Sequence, residues 1–284
     1  MCMLDDEQIA SFITSGFVHL PQAFPRSLAA ECRAIIWHDL NASPGEPATW
    51  PAPVATRPDY TSAPFVAAVN TPRLHAAYDR LVGPKRWAPR TSLGGFVIRF
   101  PGNEPAVLDG WHVDASFPGP DSSPTDYLSW RVNIHSKNRA LLMLFLFSDT
   151  GESDAPTRIR AGSHLDVARI LEPEGEAGLD ARELARRAEP ATAHRPLAYA
   201  TGRAGDVYLC HPFLVHAGHP HSGTEPRFLA QPNLSPAGTP RPAEPVSASP
   251  VESAVRRATR RQSDLPERTT PDHRLRTGAA QQHR

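Results

Sequence analysis

A series of short apolar segments in the second half of the chain constrains the fold more than any other feature. Glycine, proline and aspartate separate the segments, and these residues interrupt strands and favour tight turns. The segments lie at residues 94–100, 110–115, 130–135, 140–147, 157–160, 197–201, 206–209, 214–217 and 227–234. Short strands at such spacing are typical of antiparallel sandwiches and jelly rolls. We therefore predict a mainly β protein with flanking helices and a double-stranded β-helix core, the cupin-like jelly roll.

Helical patterns dominate the N-terminal part of the chain. Ile9, Phe12 and Ile13 form an apolar stripe that predicts a helix over residues 5–15, and Gly16 ends it before a strand at 17–20. Further helices are expected at 26–40 and 72–82, and two helical insertions at 164–171 and 179–188 interrupt the strand series. The proline-rich residues 43–65 lack periodicity and predict an extended surface segment.

The composition changes after Ser235, where alanine, proline, arginine, threonine and serine dominate. Such a segment buries too little apolar surface to offset the entropy lost on ordering. We therefore predict one double-stranded β-helix domain with N-terminal helices at residues 1–235 and a Pro/Arg-rich, disordered tail at 236–284, with room for one turn of helix near residues 250–261.

Charge and composition argue against several classes of partner. The chain has 30 Lys and Arg against 30 Asp and Glu, so no long-range field would recruit nucleic acid or an anionic membrane. The longest apolar run, residues 140–147, is far too short to cross a bilayer. The acidic N-terminus lacks the basic region of a signal peptide, and the three cysteines are widely spaced. We expect a cytoplasmic protein that acts on a small molecule.

The tripeptide His112-Val113-Asp114 is the first candidate for chemistry. One intervening residue places the two polar side chains on the same face of an extended strand. A third, distant ligand would complete a 2-His-1-carboxylate triad, which holds non-haem Fe(II) and leaves positions open for a co-substrate and dioxygen. This tripeptide is common by chance, but its place between predicted strands of a jelly roll favours the metal hypothesis.

The third ligand must be chosen among His211, His216, His219 and His221. His216 lies in the predicted strand at 214–217, whereas Pro212 puts His211 at a bend and the last two flank a proline in a polar segment. We therefore select His216 and expect structural or surface roles for the others. Arg227 follows His216 on the next predicted strand, where its planar guanidinium could clamp a carboxylate.

These segments together resemble the phytanoyl-CoA dioxygenase-like group of Fe(II)/2-oxoglutarate-dependent oxygenases. The matching segments occur in the family's order at residues 16–20, 111–114, 160–164, 205–207, 211–216 and 226–228. The resemblance implies that His112, Asp114 and His216 bind Fe(II), and that Arg227 pairs with the distal carboxylate of 2-oxoglutarate. It implies a hydroxylase that uses O2 to oxidise a C–H bond of a small organic molecule while 2-oxoglutarate becomes succinate and CO2.

Three alternatives compete with this hypothesis. In a halogenase a small residue replaces the carboxylate ligand, so the presence of Asp114 argues against halogenation. A non-catalytic jelly-roll module would bind a ligand or partner without turnover, and a metal cupin would bind iron without 2-oxoglutarate. These last two stay open at the level of sequence.

Several other residues receive weaker predictions. Arg99 and Thr157 could face the interior and assist 2-oxoglutarate, or be exposed. Trp111 and Trp130 could line the substrate mouth, although large aromatic side chains in sheets more often belong to the core. Residues 116–129 are rich in Pro, Gly and Ser and form a candidate lid. Ser163 is a candidate N-cap of the helix that follows it.

Overall fold

The protein is described by a computed structural model that covers residues 4–51, 53–102, 109–237 and 248–260. Its strands are β1 (Phe17–Leu20), β2 (Val54–Arg57), β3 (Phe96–Arg99), β4 (Arg131–Val132), β5 (Leu141–Leu146), β6 (Arg158–Arg160), β7 (Leu179–Asp180), β8 (Leu197–Tyr199), β9 (Val207–Cys210), β10 (His216–Ala217), β11 (Arg227–Ala230) and β12 (Asn233–Leu234). Its helices are α1 (Asp6–Ser15), α2 (Arg26–Leu40), α3 (Ala63–Val69), α4 (Pro72–Leu81), α5 (Ser163–Leu171), α6 (Ala181–Ala191) and α7 (Pro250–Thr259).

One antiparallel sheet forms the centre of the fold. Its strands run in the order β1-β9-β5-β11-β3-β2, and β12 also pairs with β5. The central strand β5 is buried along its whole length, which explains why its sequence is continuously apolar rather than alternating. Met143 and Phe145 pack with the helices that cover one face of the sheet, while Leu142, Leu144 and Leu146 pack on the opposite face.

A smaller antiparallel sheet, β10-β6-β8, covers that opposite face. Ile159 on β6 and Leu229 on β11 belong to the same apolar cluster as the even-numbered leucines of β5. Two antiparallel sheets therefore face each other over a shared apolar layer, as in a jelly roll. The prediction of a mainly β protein with flanking helices and a jelly-roll core is confirmed.

The proline-rich residues 43–65 contain more regular structure than predicted. Residues Val54–Arg57 form β2, an edge strand paired with β3, and α3 begins at Ala63 with Pro64 in its first turn. Pro53 and Pro58 flank β2 without interrupting it, and Pro64 is tolerated in the first turn of α3 because the N–H groups there have no intrahelical partner. The prediction of an extended segment holds for β2, which is extended, but it was wrong for residues 63–65, where α3 begins.

The turn of helix predicted near residues 250–261 is a longer helix, α7, of ten residues. Helix α7 starts with a capping box between Ser249 and Glu252, with Pro250 at its first position. Its buried face consists of small side chains, Ala254 and Ala258, which allow a close approach to α5. Burial of that narrow face outweighs a composition that predicts disorder. Residues 238–247 and 261–284 lie outside the described residues, and the division of the chain near residue 235 stays a prediction.

Two local predictions also need correction. Residues 110–115 do not form a strand, because His112 makes only an isolated bridge to His216. The N-cap of α5 is Gly162, which has a φ of 84°, and the Ser163 hydroxyl instead accepts a hydrogen bond from the Val215 N–H. Within the described ranges, no helix has both the length and the apolar character needed to cross a membrane.

Candidate active site

Three of the predicted site residues meet between the two sheets. His112 and His216 exchange two backbone hydrogen bonds of 3.0 Å, which fixes the segment 110–115 against β10 although no longer ladder forms. The His112, Asp114 and His216 side chains each offer a ligand atom, and these atoms lie within 4.8 Å of one another. The structure thus brings together all three residues that the sequence singled out.

Backbone carbonyls orient both imidazole rings. The Nδ1 atoms of His112 and His216 lie 2.8 Å from the Gly110 oxygen and 3.0 Å from the Leu214 oxygen. Because a carbonyl can only accept, Nδ1 carries the hydrogen in each ring and Nε2 keeps its lone pair. The pKa of His216 is lowered to about 4, first by burial and then by the nearby His112. A neutral imidazole with a lone pair on Nε2 is the form that binds a metal, and the Gln231 amide donates to that lone pair of His216 at 2.8 Å.

The two oxygens of Asp114 have different surroundings. Oδ1 faces the histidine Nε2 atoms, 3.7 Å from His112 and 3.8 Å from His216. Oδ2 accepts hydrogen bonds from Arg139 at 3.3 Å and from Gln231 at 3.2 Å. Burial by itself would raise the pKa of Asp114, but Arg139 and the two histidines outweigh it and hold that pKa below its usual value. Asp114 is therefore a carboxylate, and two nitrogen atoms and one oxygen atom suit Fe(II).

Arg227 lies beside this cluster, directly opposite Arg99 on the neighbouring strand. Its guanidinium is buried and donates a 2.6 Å hydrogen bond to the Ala155 carbonyl. Burial and the charge of Arg99 lower the pKa of Arg227 to about 9. Arg99 pairs with Asp109. Among the described residues, the buried Nε atoms of both arginines lack a hydrogen-bond partner, so the pair can accommodate an anion.

A cavity of about 1120 Å³ connects the residue cluster with the arginines. Its lining contains all four predicted site residues as well as Arg99, Thr157, Trp111 and Trp130. Arg99 and Thr157, which the sequence left as either interior or exposed, therefore border the cavity together with the two tryptophans. Tyr127 and Leu128, in the candidate lid at residues 116–129, also line it. Both are large apolar side chains that are about half exposed, as expected at the mouth of a binding site. That this segment closes as a lid stays a prediction.

The other three candidate histidines, His211, His219 and His221, lie outside the cluster. His211 is fully buried, and its Nδ1 accepts a hydrogen bond from the Phe213 N–H. His221 is buried as well, with Nε2 within 2.8 Å of the Glu225 oxygen. His219 has its Nδ1 against the Pro220 carbonyl. These contacts agree with the structural roles expected from the sequence.

Sequence reasoning missed Arg139 and Gln231, which both contact Asp114. Gln231 lies four residues after Arg227, so the alternation of strand side chains could have placed both on one face. Nothing comparable marks Arg139, which follows a turn where Ser136 and Asn138 both have positive φ. Its contact with Asp114 spans 25 residues of sequence.

The model of the phytanoyl-CoA dioxygenase (PhyH) family matches residues 15–229. The chain belongs to the phytanoyl-CoA dioxygenase family. The matched region contains His112, Asp114, His216 and Arg227, and it includes both sheets except β12. The family resemblance drawn from the sequence is confirmed.

Solved structures show the same fold at low sequence identity. The non-haem alpha ketoglutarate dependent carbocyclase SnoK from nogalamycin biosynthesis is 18% identical, with 82% of this chain and 84% of that chain covered and a TM-score of 0.51. The epimerase SnoN, solved with Fe3+, alpha ketoglutarate and nogalamycin RO, is 19% identical, with 80% and 81% covered and a TM-score of 0.55. GlcNAc Inducible Gene 2 from Candida albicans is 12% identical, with 82% and 64% covered and a TM-score of 0.58. No curated protein matches the sequence significantly.

Proposed function

We propose that this member of the phytanoyl-CoA dioxygenase family is an Fe(II)/2-oxoglutarate-dependent dioxygenase that hydroxylates, or otherwise oxidises, a C–H bond of a small organic molecule. Family membership supports an enzyme that depends on iron and 2-oxoglutarate. One observation carries the proposal for this chain: the unprotonated Nε2 atoms of two histidines and one carboxylate oxygen face each other at the wall of a large cavity that also contains a buried arginine.

The proposal gives each residue a separate role. His112, Asp114 and His216 hold Fe(II) through Nε2, Oδ1 and Nε2, respectively. Arg227 pairs with the distal carboxylate of 2-oxoglutarate, because its charge is fixed at working pH and no acidic side chain is among its hydrogen-bond acceptors in the described structure. Iron with 2-oxoglutarate and O2 supplies an oxidant when bound, and 2-oxoglutarate leaves as succinate and CO2. The protein orients the substrate and limits side reactions.

The size of the cavity bears on the substrate. Binding sites for small molecules usually measure about 300–1,000 Å³, and this cavity reaches about 1120 Å³. The volume must accommodate 2-oxoglutarate as well, so it supports a substrate of moderate size. Hydroxylation is the outcome proposed here. Two structural relatives are named as a carbocyclase and an epimerase. Analysis of the product is therefore the direct test of what happens to the C–H bond.

The alternatives make different predictions for ligand binding. A non-catalytic module binds neither Fe(II) nor 2-oxoglutarate. A metal cupin binds iron, but Arg227→Ala leaves its behaviour unchanged. Only the proposed dioxygenase requires Asp114 and Arg227 at the same time, the former for iron and the latter for 2-oxoglutarate. A cytoplasmic location, with neither nucleic acid nor membrane as a partner, also remains a proposal.

An anaerobic titration of the protein with Fe(II) and 2-oxoglutarate tests the proposal. The iron chelate of 2-oxoglutarate has a weak visible charge-transfer band, and we expect this band to need both additives. Arg227→Ala should weaken it by raising the concentration of 2-oxoglutarate required. A folded, iron-loaded protein that gives no band would refute the proposed function. A band should be followed by a substrate screen in air that measures succinate and identifies the oxidised product by mass spectrometry.

A further inference from the structure

Arg139 is a buried cation that contacts the candidate iron carboxylate from outside the cluster of three residues. Its side chain is 8% exposed, and its Nη1 atom lies 3.3 Å from Asp114 Oδ2. The Nη2 atom of the same guanidinium donates to the Ala115 carbonyl at 2.7 Å and to the Tyr127 hydroxyl at 3.1 Å. Arg139 thus holds the backbone immediately after Asp114 and the carboxylate itself.

This contact distinguishes the two oxygens of Asp114. Oδ2 is occupied by Arg139 and by the amide of Gln231, while Oδ1 remains directed at the two Nε2 atoms. A carboxylate whose outer oxygen is held by hydrogen bonds presents only the inner oxygen to a metal. Hydrogen-bond partners of this kind fix the orientation of ligands and commonly affect metal affinity.

We propose that Arg139 is a positioning residue: it holds Asp114 Oδ2 so that Asp114 binds the metal through Oδ1 alone. The inference rests on the proposed function only in assigning a metal to His112, Asp114 and His216. Binding through one oxygen leaves more of the metal's positions open, and a 2-oxo acid and dioxygen together need three. The guanidinium also compensates the charge of a carboxylate that is largely removed from water.

A purely structural role is the alternative, because Arg139 also bonds Ala115 and Tyr127. Lysine and methionine at position 139 separate the two roles. Both have long, unbranched side chains and both lose the forked contacts to Ala115 and Tyr127. Lysine alone keeps a cation near Asp114, and the contact to Oδ2 is a single hydrogen bond rather than a bidentate pair, so an ammonium group can replace it.

The test measures binding of Co(II) to the purified full-length protein by anaerobic calorimetry, without 2-oxoglutarate. Arg139→Met should weaken Co(II) binding by roughly 10- to 100-fold, the usual effect of removing a partner of a metal ligand. Arg139→Lys should recover most of that loss. The matched control is Arg182→Met. Arg182 lines the same cavity but pairs with Asp126, so this variant should bind Co(II) as the parent does.

Folding is followed separately by circular dichroism. If Arg139→Met does not fold, Arg139→Gln takes its place, because glutamine is too short to reach Oδ2 and carries no charge. Tyr127→Phe removes the other side-chain partner of the guanidinium and should leave Co(II) affinity unchanged.

The inference is overturned if folded Arg139→Met or Arg139→Gln binds Co(II) like the parent. Equal losses in Arg139→Lys and Arg139→Met, or an equal loss in Tyr127→Phe, also overturn it by assigning Arg139 a structural role. The Co(II) test of Arg139 and the chelate-band test of the proposed function can fail independently. A parent protein that binds Co(II) but gives no chelate band with Fe(II) and 2-oxoglutarate refutes the function and leaves the role of Arg139 measurable.

Discussion

Replacing Arg227 by methionine should raise the free energy of unfolding and, at the same time, lower the affinity for 2-oxoglutarate. Burial and Arg99 lower the pKa of Arg227 to about 9, at least three pKa units below that of an arginine in water. At about 1.4 kcal/mol per pKa unit, the buried charge costs the folded state on the order of 4–5 kcal/mol. Methionine removes this cost, but it leaves the Ala155 carbonyl without its 2.6 Å donor, which costs about 1–3 kcal/mol.

The balance predicts that Arg227→Met raises the free energy of unfolding by about 1–4 kcal/mol when no 2-oxoglutarate is present. A domain of this size gains about 2–4 °C in melting temperature for each kcal/mol. The affinity for 2-oxoglutarate should fall at the same time. Loss of one partner from a buried charge pair costs roughly 2–5 kcal/mol, which corresponds to a dissociation constant about 30-fold to several thousand-fold higher.

Scanning calorimetry with Mn(II), with and without 2-oxoglutarate, measures both effects in one experiment. The parent should melt higher when 2-oxoglutarate is added, whereas Arg227→Met should melt higher than the parent without it and gain less from the same concentration. Arg99→Met is the matched control: it breaks the ion pair with Asp109 and should lower the melting temperature. The reasoning fails if Arg227→Met melts below the parent without 2-oxoglutarate or gains as much stability from it as the parent does.

Three further predictions concern metal binding, acid stability and the C-terminal helix. Asp114→Ala should abolish Co(II) binding and hydroxylation, and full activity in that variant would remove Asp114 from the ligand set. Burial lowers the pKa of His164 to about 4, so the folded state favours the neutral ring. The folded state is therefore most stable above the unfolded pKa near 6.5, and it loses about 3 kcal/mol of stability as the pH falls toward 4. Urea unfolding between pH 7 and pH 4 should show this loss, and His164→Gln should reduce it. Ala254 is fully buried on α7. Ala254→Glu should destabilise the protein by about 3 kcal/mol or more, because it places an unpaired charge in the core. An unchanged melting temperature would show that α7 does not dock in solution.

The sequence alone was sufficient for the local elements with strong patterns. Helix α2 has the predicted bounds, Arg26–Leu40, because its apolar positions recur with the helical period. Strand β5 is recognisable because a strand buried on both faces needs an unbroken apolar run. The one-residue spacing correctly placed the His112 and Asp114 side chains on the same side of the backbone, although residues 110–115 form no strand.

Only the tertiary structure determined the contacts between segments that are distant in sequence. Arg139 is far from Asp114 in the chain, and its guanidinium reaches the carboxylate because the residues just before β5 lie against the segment that follows His112. The docking of α7 likewise depends on a partner surface on α5, and a composition of alanine, arginine and proline gives no sign of that surface. The sequence therefore specified the ligand types and their local spacing through backbone periodicity. Packing decided which buried charges face one another, because the direction of a long side chain depends on all the elements around it.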